Sequence, residues 1–177
     1  MSITEDFRRG FLNTIVASHC MPPGIRHRLL RWYGVTMGRG AVIRPGFYVD
    51  NHDLTVGDGS FINMGCRFDG YAPINIGANC DIGMEVMFFA TTHRDGGPGR
   101  RAGTTISTAI NVGDGCFIGS RAVIVPGVSL APGCVVAAGA VVEEDTLPDG
   151  VYAGVPAVRL RNLNGVPVDA VAVAGRG

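Results

Sequence analysis

The chain has 177 residues, which suits one domain with one continuous core. Its fifteen basic and fifteen acidic residues cancel, so the total charge offers no field to attract nucleic acid or a membrane surface. No window of about 18 uncharged apolar residues occurs, which argues against a transmembrane helix. The 27 glycines and the low charged fraction, 17%, predict a chain that turns often and buries small side chains.

Residues 1–35 are predicted to form an N-terminal helical segment. Glu5 and Asp6 stand where a signal peptide needs basic residues, and Asn13 interrupts the apolar stretch that follows. A short amphipathic helix therefore fits this stretch better than a cleaved signal.

A second helix is predicted over residues 25–33, after the breaker Pro22-Pro23-Gly24. Its apolar side carries Ile25, Leu29 and Trp32, and its remaining positions are rich in arginine. Such a basic helix fits either an anionic partner or an ordinary solvated face, and we favour the solvated face.

Apolar residues then recur every six positions along most of the chain. Period six matches neither the 3.6-residue helix nor the two-residue alternation of a strand. It predicts a coil with flat sides of about six residues each, three of which close one turn. The apolar anchors are Met37, Ile43, Val49, Val56, Ile62, Phe68, Ile76, Ile82, Phe88, Ile106, Val112, Ile118, Ile124, Leu130, Val136 and Val142.

A small residue follows most anchors by four positions and keeps the same period. We expect it to point inward with the anchor, because a narrow prism admits little volume. These positions are Ser60, Cys66, Cys80, Val86, Thr92, Cys116, Ala122, Val128, Cys134, Ala140 and Thr146. Four cysteines are among them and no C-x-x-C spacing occurs, so we interpret them as packing residues rather than metal ligands or disulfides.

The period is interrupted at one place. The side that begins at Phe88 ends at His93, and the next side in phase begins at Ile106, which leaves a loop of residues 94–105. A coil gains nothing from such a loop, and loops on rigid scaffolds often carry functional residues. His93, at the root of the loop, is therefore a candidate catalytic residue.

The repeat, from about Met37 to Ala157, resembles that of the hexapeptide-repeat acetyltransferases. This resemblance implies an all-β fold, a left-handed parallel β-helix of about five turns with a short N-terminal helical segment and one protruding loop. The left-handed sense comes from the resemblance alone, since general crossover rules favour the other hand. Its specific motifs are Phe117-Ile118-Gly119-Ser120, Ile124-Val125-Pro126-Gly127-Val128 and Ala153-Gly154-Val155-Pro156-Ala157.

The galactoside, maltose and streptogramin O-acetyltransferases of this family carry a catalytic His at a loop root and an Asn about 30 residues earlier, here His93 and Asn63. The resemblance implies that neutral His93 takes the proton of a hydroxyl as it attacks the acetyl thioester. Asn63 would orient the acceptor or the His, from a neighbouring turn or across a subunit interface. Asp50 and Asp69 could line the acceptor pocket, although each also fits a plain turn.

The resemblance also implies a site for acetyl-CoA as co-substrate. Gly83, Ser120 and Ala138 would line the pantetheine channel, and Arg161 would meet a phosphate, with Arg159 as a substitute. The chain departs from the family at Glu143-Glu144, where Thr-Lys is common and where two acids are unfavourable beside a nucleotide.

A homotrimer with a small-molecule acceptor is implied as well, with no metal, nucleic acid or membrane as partner. Flat faces of a coil are usually buried in closed symmetric rings. We assign residues 36–160 to the β-helix and 161–177 to a C-terminal tail. Free cysteines in a core fit a reducing compartment, hence a cytoplasmic location.

Three other functions remain open. N-acetylation of an amino sugar or amino acid would use the same base and donor. A γ-class carbonic anhydrase needs three His ligands, whereas only His52 and His93 fall in the repeat. A non-catalytic β-helix scaffold would bind no acetyl-CoA and would not depend on His93.

Overall fold

The chain opens with helices and continues as a coil of short strands, in a computed structural model that describes residues 3–50, 52–163 and 165. Helix α1 spans Ile3–Phe11 and runs into a π-helical segment, Leu12–Val16, and helix α2 spans Pro23–Tyr33. Within the described ranges, no helix is long and apolar enough to span a bilayer.

The coil has three faces, each a sheet of stacked strands. The first face holds β1 (Thr36–Met37), β4 (Leu54–Val56), β7 (Ile74–Ile76), β12 (Ile110–Val112) and β15 (Ser129–Leu130). The second holds β2 (Val42–Ile43), β5 (Phe61–Ile62), β8 (Asp81–Ile82), β13 (Phe117–Ile118), β16 (Val135–Val136), β18 (Gly150–Gly154) and β19 (Ala157–Asn162). The third holds β3 (Tyr48–Val49), β6 (Arg67–Asp69), β9 (Met87–Phe89), β14 (Val123–Ile124) and β17 (Val141–Val142). A separate pair, β10 (Thr91–Asp95) and β11 (Ala102–Ser107), forms an antiparallel hairpin.

The stacking confirms the predicted left-handed parallel β-helix, with five complete turns and with β18 beginning a sixth. Neighbouring strands on a face are parallel and in register, so that Ile62 lies beside Ile82, Ile82 beside Ile118, and Ile118 beside Val136. These four side chains are buried in one column. Period six thus places one anchor per side on the inside of the prism.

Two of the predicted inward positions are wrong. Thr92 is exposed and Ile106 is only half-buried, because both lie in the hairpin rather than in the coil. The chain leaves the coil after Ala90 and re-enters it at Thr108. The Thr108 N–H donates to the Ala90 carbonyl oxygen over 3.0 Å. The inserted segment therefore covers residues 91–107, longer at both ends than the predicted loop.

The four repeat cysteines are buried and free, as expected for packing residues. Their thiols donate to carbonyl oxygens of adjacent corners, for example Cys66 to Gly83 over 3.1 Å and Cys116 to Ala131 over 3.2 Å. Burial raises the pKa of the Cys66 thiol to about 11, so it stays protonated at neutral pH.

Glycine at the corner between the first and second faces lets the turns stack closely. A Cβ on Gly57 would stand 2.5 Å from the carbonyl carbon of Gly77 in the next turn, which is closer than real Cβ atoms approach. Glycine therefore recurs after the anchor because the backbone of the next turn leaves no room for a Cβ atom.

The helices cover the open strand edges of the first turn. Asn13 brackets Val49, since its Nδ2 donates to the Val49 carbonyl and its Oδ1 accepts from the Val49 N–H. The Ile43 N–H points to Nε2 of His27 at 3.4 Å, and the Gly46 N–H donates to the Ala17 carbonyl over 2.7 Å. The backbone groups at this strand edge are thereby hydrogen-bonded within the chain, so the edge does not pair with a further strand.

Helix α2 is present as predicted, and its solvent-facing side carries apolar residues as well as the exposed Arg28 and Arg31. Leu30 is fully buried and Arg26 is 3% exposed, whereas Ile25 is 51% and Trp32 61% exposed. The Arg26 guanidinium donates to the carbonyl oxygens of Val16, Ser18 and Met21, which offsets the cost of its burial. Ile25 and Trp32 of the predicted apolar side therefore face solvent, whereas Leu29 is half-buried against the core.

The C-terminal end of the coil is closed by the β18–β19 hairpin. Strand β19 continues to Asn162, two residues into the segment predicted as a tail. The remainder of that predicted tail, residue 164 and residues 166–177, lies outside the described residues.

Candidate active site

The hairpin holds His93 through its own backbone. His93 faces Thr105 across the β10–β11 pair, and its Nδ1 lies 3.1 Å from the Gly103 carbonyl oxygen and 3.5 Å from Thr105 Oγ1. A carbonyl only accepts, so Nδ1 is the protonated nitrogen and donates to it. This leaves Nε2 of an exposed imidazole as a proton acceptor, which is what a general base requires.

His93 shares one edge of the prism with both candidate aspartates. Asp50 follows β3 and Asp69 ends β6, both at the corner between the third and first faces, and the hairpin leaves the same corner one turn later. We call this the hairpin edge. The Tyr71 N–H donates to Thr91 Oγ1 over 2.9 Å and links the hairpin to the turn beneath it.

Asn63 lies on a different edge. It follows β5 at the corner between the second and third faces, where it is half-buried and its Oδ1 accepts from the Met64 N–H over 2.9 Å. One whole side separates it from the hairpin edge, roughly 15–20 Å of extended chain. Within one chain, Asn63 and His93 therefore do not share a site.

The candidate CoA residues lie on the same edge as Asn63. Gly83, Ser120 and Ala138 occupy successive corners between the second and third faces, and with Asn63 they define what we call the asparagine edge. A Cβ on Gly83 would stand 2.5 Å from the Ser120 amide nitrogen, and Ser120 Oγ accepts from the Met84 N–H over 3.1 Å. The residues at these three corners are small, whereas Met84 and Arg121 beside them are exposed.

The two candidate phosphate-binding arginines differ. Arg159 donates to the carbonyl oxygens of Leu147 and Pro148 and to Asn162 Oδ1, so its guanidinium closes the end of the coil. Arg161 is exposed and lies opposite Val151 on the outer side of the second face. Of the two guanidinium groups, that of Arg161 is therefore the more accessible to a phosphate.

The acidic departure from the family pattern falls on the hairpin edge. Glu143 and Glu144 follow β17 and are exposed, whereas Arg121 lies on the asparagine edge and pairs with Glu85 through a 2.7 Å contact. Arg121 therefore does not neutralise the two acids within its own chain.

A cavity of about 200 Å³ opens at the base of the hairpin edge. Asp50 lies in its wall with a side chain only 10% exposed, accepting from Arg9 Nη1 at 2.8 Å and from the Tyr48 hydroxyl at 3.3 Å. Burial, and next the Asp50 carboxylate, raise the pKa of Tyr48, which keeps its hydroxyl a donor. The lining residues are Glu5, Arg8, Arg9, Tyr33, Asp50, His52 and Tyr71.

Most of this lining was not predictable from the sequence. Arg8, Tyr33 and Tyr71 come from α1, α2 and a corner of the coil, and no shared motif or spacing connects them. Asp69 was expected here but is absent from the lining, and its backbone carbonyl accepts from the Ala90 N–H. Within the described part of the chain, no cluster of three or more potential metal ligands occurs.

A parallel β-helix with a projecting, histidine-bearing hairpin defines a class of proteins, the hexapeptide-repeat transferases. Residues 109–144 match the family model described as the hexapeptide repeat of succinyl-transferase. A solved hexapeptide-repeat acetyltransferase of Vibrio cholerae, complexed with acetyl-CoA, superposes with a TM-score of 0.83 at 31% identity over 90% of this chain and 87% of that one. The chain belongs to the hexapeptide-repeat acetyltransferases.

Curated relatives agree with this membership. Galactoside O-acetyltransferase of Escherichia coli is 29% identical over 83% of this chain and 74% of its own length. An acetyltransferase-like protein of Schizosaccharomyces pombe is 35% identical over 58% of this chain, and the match spans 50% of its length.

Proposed function

We propose that this protein transfers the acetyl group of acetyl-CoA to a hydroxyl of a sugar or another hydroxylated small molecule. The observation that carries the proposal is the placement of His93, whose Nδ1 is held by the Gly103 carbonyl while Nε2 stays accessible. Relatives that act on oxygen, such as galactoside O-acetyltransferase, favour a hydroxyl over an amine as acceptor.

His93 would act by direct transfer. Its Nε2 takes the hydroxyl proton as the oxygen attacks the thioester carbonyl, which forms a tetrahedral intermediate. Collapse breaks the carbon–sulfur bond, and the imidazolium returns its proton to the departing CoA thiolate. Because both substrates bind in one cleft, the reaction needs no covalent acetyl-enzyme intermediate.

The separation of Asn63 from His93 supports an active site shared between subunits. In a closed trimer, the hairpin edge of one subunit lies against the asparagine edge of the next, and His93 then meets the neighbour's Asn63 and pantetheine channel. The cavity beside Asp50, at the base of the same hairpin edge, would receive the acceptor.

The outer surfaces of the three faces fit this trimer. The first face presents polar side chains and an Asn75–Asn111 hydrogen bond of 2.9 Å. The second and third faces are more apolar, with Phe117, 49% exposed, and the half-buried Val123 and Val141, although Asp81 and Arg67 are also exposed on them. Burial of these two faces and solvation of the first is the arrangement that the hydrophobic effect favours.

His93→Ala tests the reaction in a screen of acetyl-CoA with sugars, amino sugars and hydroxylated natural products. We expect turnover of the best acceptor to fall by roughly 10²-fold or more with the melting temperature unchanged. His19→Ala, an exposed histidine far from the hairpin in the sequence, is the control. Near-normal turnover of His93→Ala would refute the base, and a protein without acetyl-CoA binding would be a scaffold.

Subunit mixing tests the shared site. His93→Ala and Asn63→Ala chains are each expected to be inactive alone. A randomly assembled equimolar mixture should regain activity at about a quarter of all sites, since an intact His meets an intact Asn at one of the three sites of each mixed trimer. No recovery in mixed trimers, or a fully active monomer in sedimentation, would contradict the model.

A further inference from the structure

The zero net charge of the chain hides a separation of charge along the coil axis. Residues 1–50, which form the helices and the first turn, carry seven arginines and three acids. Residues 51–177 carry eight arginines and twelve acids. The N-terminal end therefore has an excess of four positive charges, and the remainder an equal excess of negative charges.

The outward side of α2 combines this positive charge with exposed apolar side chains. Ile25, Arg28 and Trp32 share one helical face, opposite the buried Arg26 and Leu30. The Arg8 guanidinium covers one face of the Trp32 ring at 4.7 Å, yet the residue remains 61% exposed. Helix α2 contains no acidic residue.

The arginines around this face have their charges available. Arg28, Arg31 and Arg44 are exposed, and among the described residues no ion pair joins any of them to a carboxylate. Arg44 follows Ile43, whose N–H points to Nε2 of His27 in α2 at 3.4 Å, so its backbone lies beside this helix. Unpaired cations beside exposed Ile25 and Trp32 match a surface that is anionic outside and apolar beneath.

We propose that the N-terminal end of the coil docks on an anionic lipid bilayer. Ile25 and Trp32 enter the headgroup region, and Arg28, Arg31 and Arg44 lie against the lipid phosphates. The balanced total charge predicts no membrane partner, whereas the uneven distribution of that charge favours one at the N-terminal end.

A trimer would strengthen this docking. Three parallel coils related by a rotation axis present all three N-terminal ends on the same side, so the three patches can bind one surface together. The acceptor cavity, walled partly by α1, opens at this same end. Docking is independent of acetyl transfer, and its test does not rely on activity.

Trp32 provides the readout because it is the single tryptophan of the chain. We expect its emission to shift to the blue with vesicles containing phosphatidylglycerol, and not with pure phosphatidylcholine vesicles. Brominated acyl chains should quench it, and added salt should reverse the binding. Co-sedimentation with the same vesicles gives the affinity.

Charge reversal tests the basic side chains. Arg28→Glu/Arg44→Glu should weaken vesicle binding at least about tenfold, since each arginine near an anionic leaflet contributes a few-fold in affinity. Arg100→Glu, an exposed residue of the hairpin tip, is the control for charge alone. Ile25→Ser should bind several-fold more weakly and show less quenching. Melting and sedimentation confirm that the variants are folded.

Four outcomes would overturn the proposal. They are no binding to anionic vesicles at low salt, equal binding to neutral vesicles, a double variant that binds as tightly as Arg100→Glu, and vesicle binding that leaves Trp32 unquenched. The last would place the contact on another surface of the protein.

Discussion

Arg9 Nη1 of helix α1 donates to Asp50 Oδ1 at the first corner of the hairpin edge over 2.8 Å, and this bond joins segments 41 residues apart. The Asp50 side chain is 10% exposed and that of Arg9 26% exposed, so the pair is partly shielded from water. Together with the Tyr48 hydroxyl, it fixes one wall of the cavity beside Asp50.

Arg9→Gln should lower the free energy of unfolding by about 1–2 kcal/mol, because a charge-assisted hydrogen bond is lost and Asp50 keeps fewer donors. We expect KM for the acceptor to rise while KM for acetyl-CoA stays unchanged. Arg9→Gln/Asp50→Asn should recover part of the stability. Arg39→Gln, which breaks an exposed pair with Asp58, is the control and should change little. Equal effects of the two glutamine variants would contradict this role.

Gly83→Ala should be destabilising because the added Cβ would meet the Ser120 backbone at 2.5 Å. Separating the turns should cost about 1–3 kcal/mol in chemical denaturation and weaken acetyl-CoA binding. Gly10→Ala, in α1 with nothing within 4 Å of the added atom, should leave stability equal or slightly higher. A Gly83→Ala protein as stable as Gly10→Ala would show that the turns can separate freely.

Cys116→Leu should overpack the prism, at a cost of about 1–3 kcal/mol, since Cys116 is 1% exposed. Cys116→Ala should be mild, because alanine already occupies the equivalent inward positions at Ala122 and Ala140. Thermal melting of the two variants side by side distinguishes packing from chemistry. Loss of activity in Cys116→Ala without loss of stability would point to a chemical role for the thiol.

His27 should make stability depend on pH. Burial, and next Arg26, lower its pKa below the usual 6.5, and its neutral Nε2 faces the Ile43 N–H. The unfolded chain binds this proton first, so stability is retained above about pH 6.5, falls as pH drops below it, and levels off below the folded-state pKa. His27→Gln should flatten this part of the curve of Tm against pH, and exposed His19→Gln should not. Identical curves for both variants would exclude His27.

The six-residue period correctly predicted which side chains face the interior of the coil. A side chain of a strand points either into the prism or out toward solvent, so its position in the repeat decides its orientation. Ile62, Ile82 and Cys134 were assigned inward from spacing alone, and they are buried. The burial of an apolar anchor depends only on its position within its own six-residue side, so the local sequence is enough to predict that burial.

Ile106 shows where this reasoning fails. It stands 18 residues after Phe88, a multiple of six, so the count stays in phase although the chain has left the coil. The next anchor on the first face of the coil is Val112. Spacing alone does not distinguish a hairpin of this length from further sides.

The sequence by itself determined the coil, its buried columns, the cysteines as packing residues, and an interruption of the coil near His93. Tertiary structure decided which side of α2 faces solvent, that Arg159 closes the end of the coil, and that Asn63 and His93 lie on different edges. The physical reason is that inward or outward orientation follows from the short-range period. The partners of a surface residue depend on how distant turns and helices stack, and no local pattern encodes that arrangement.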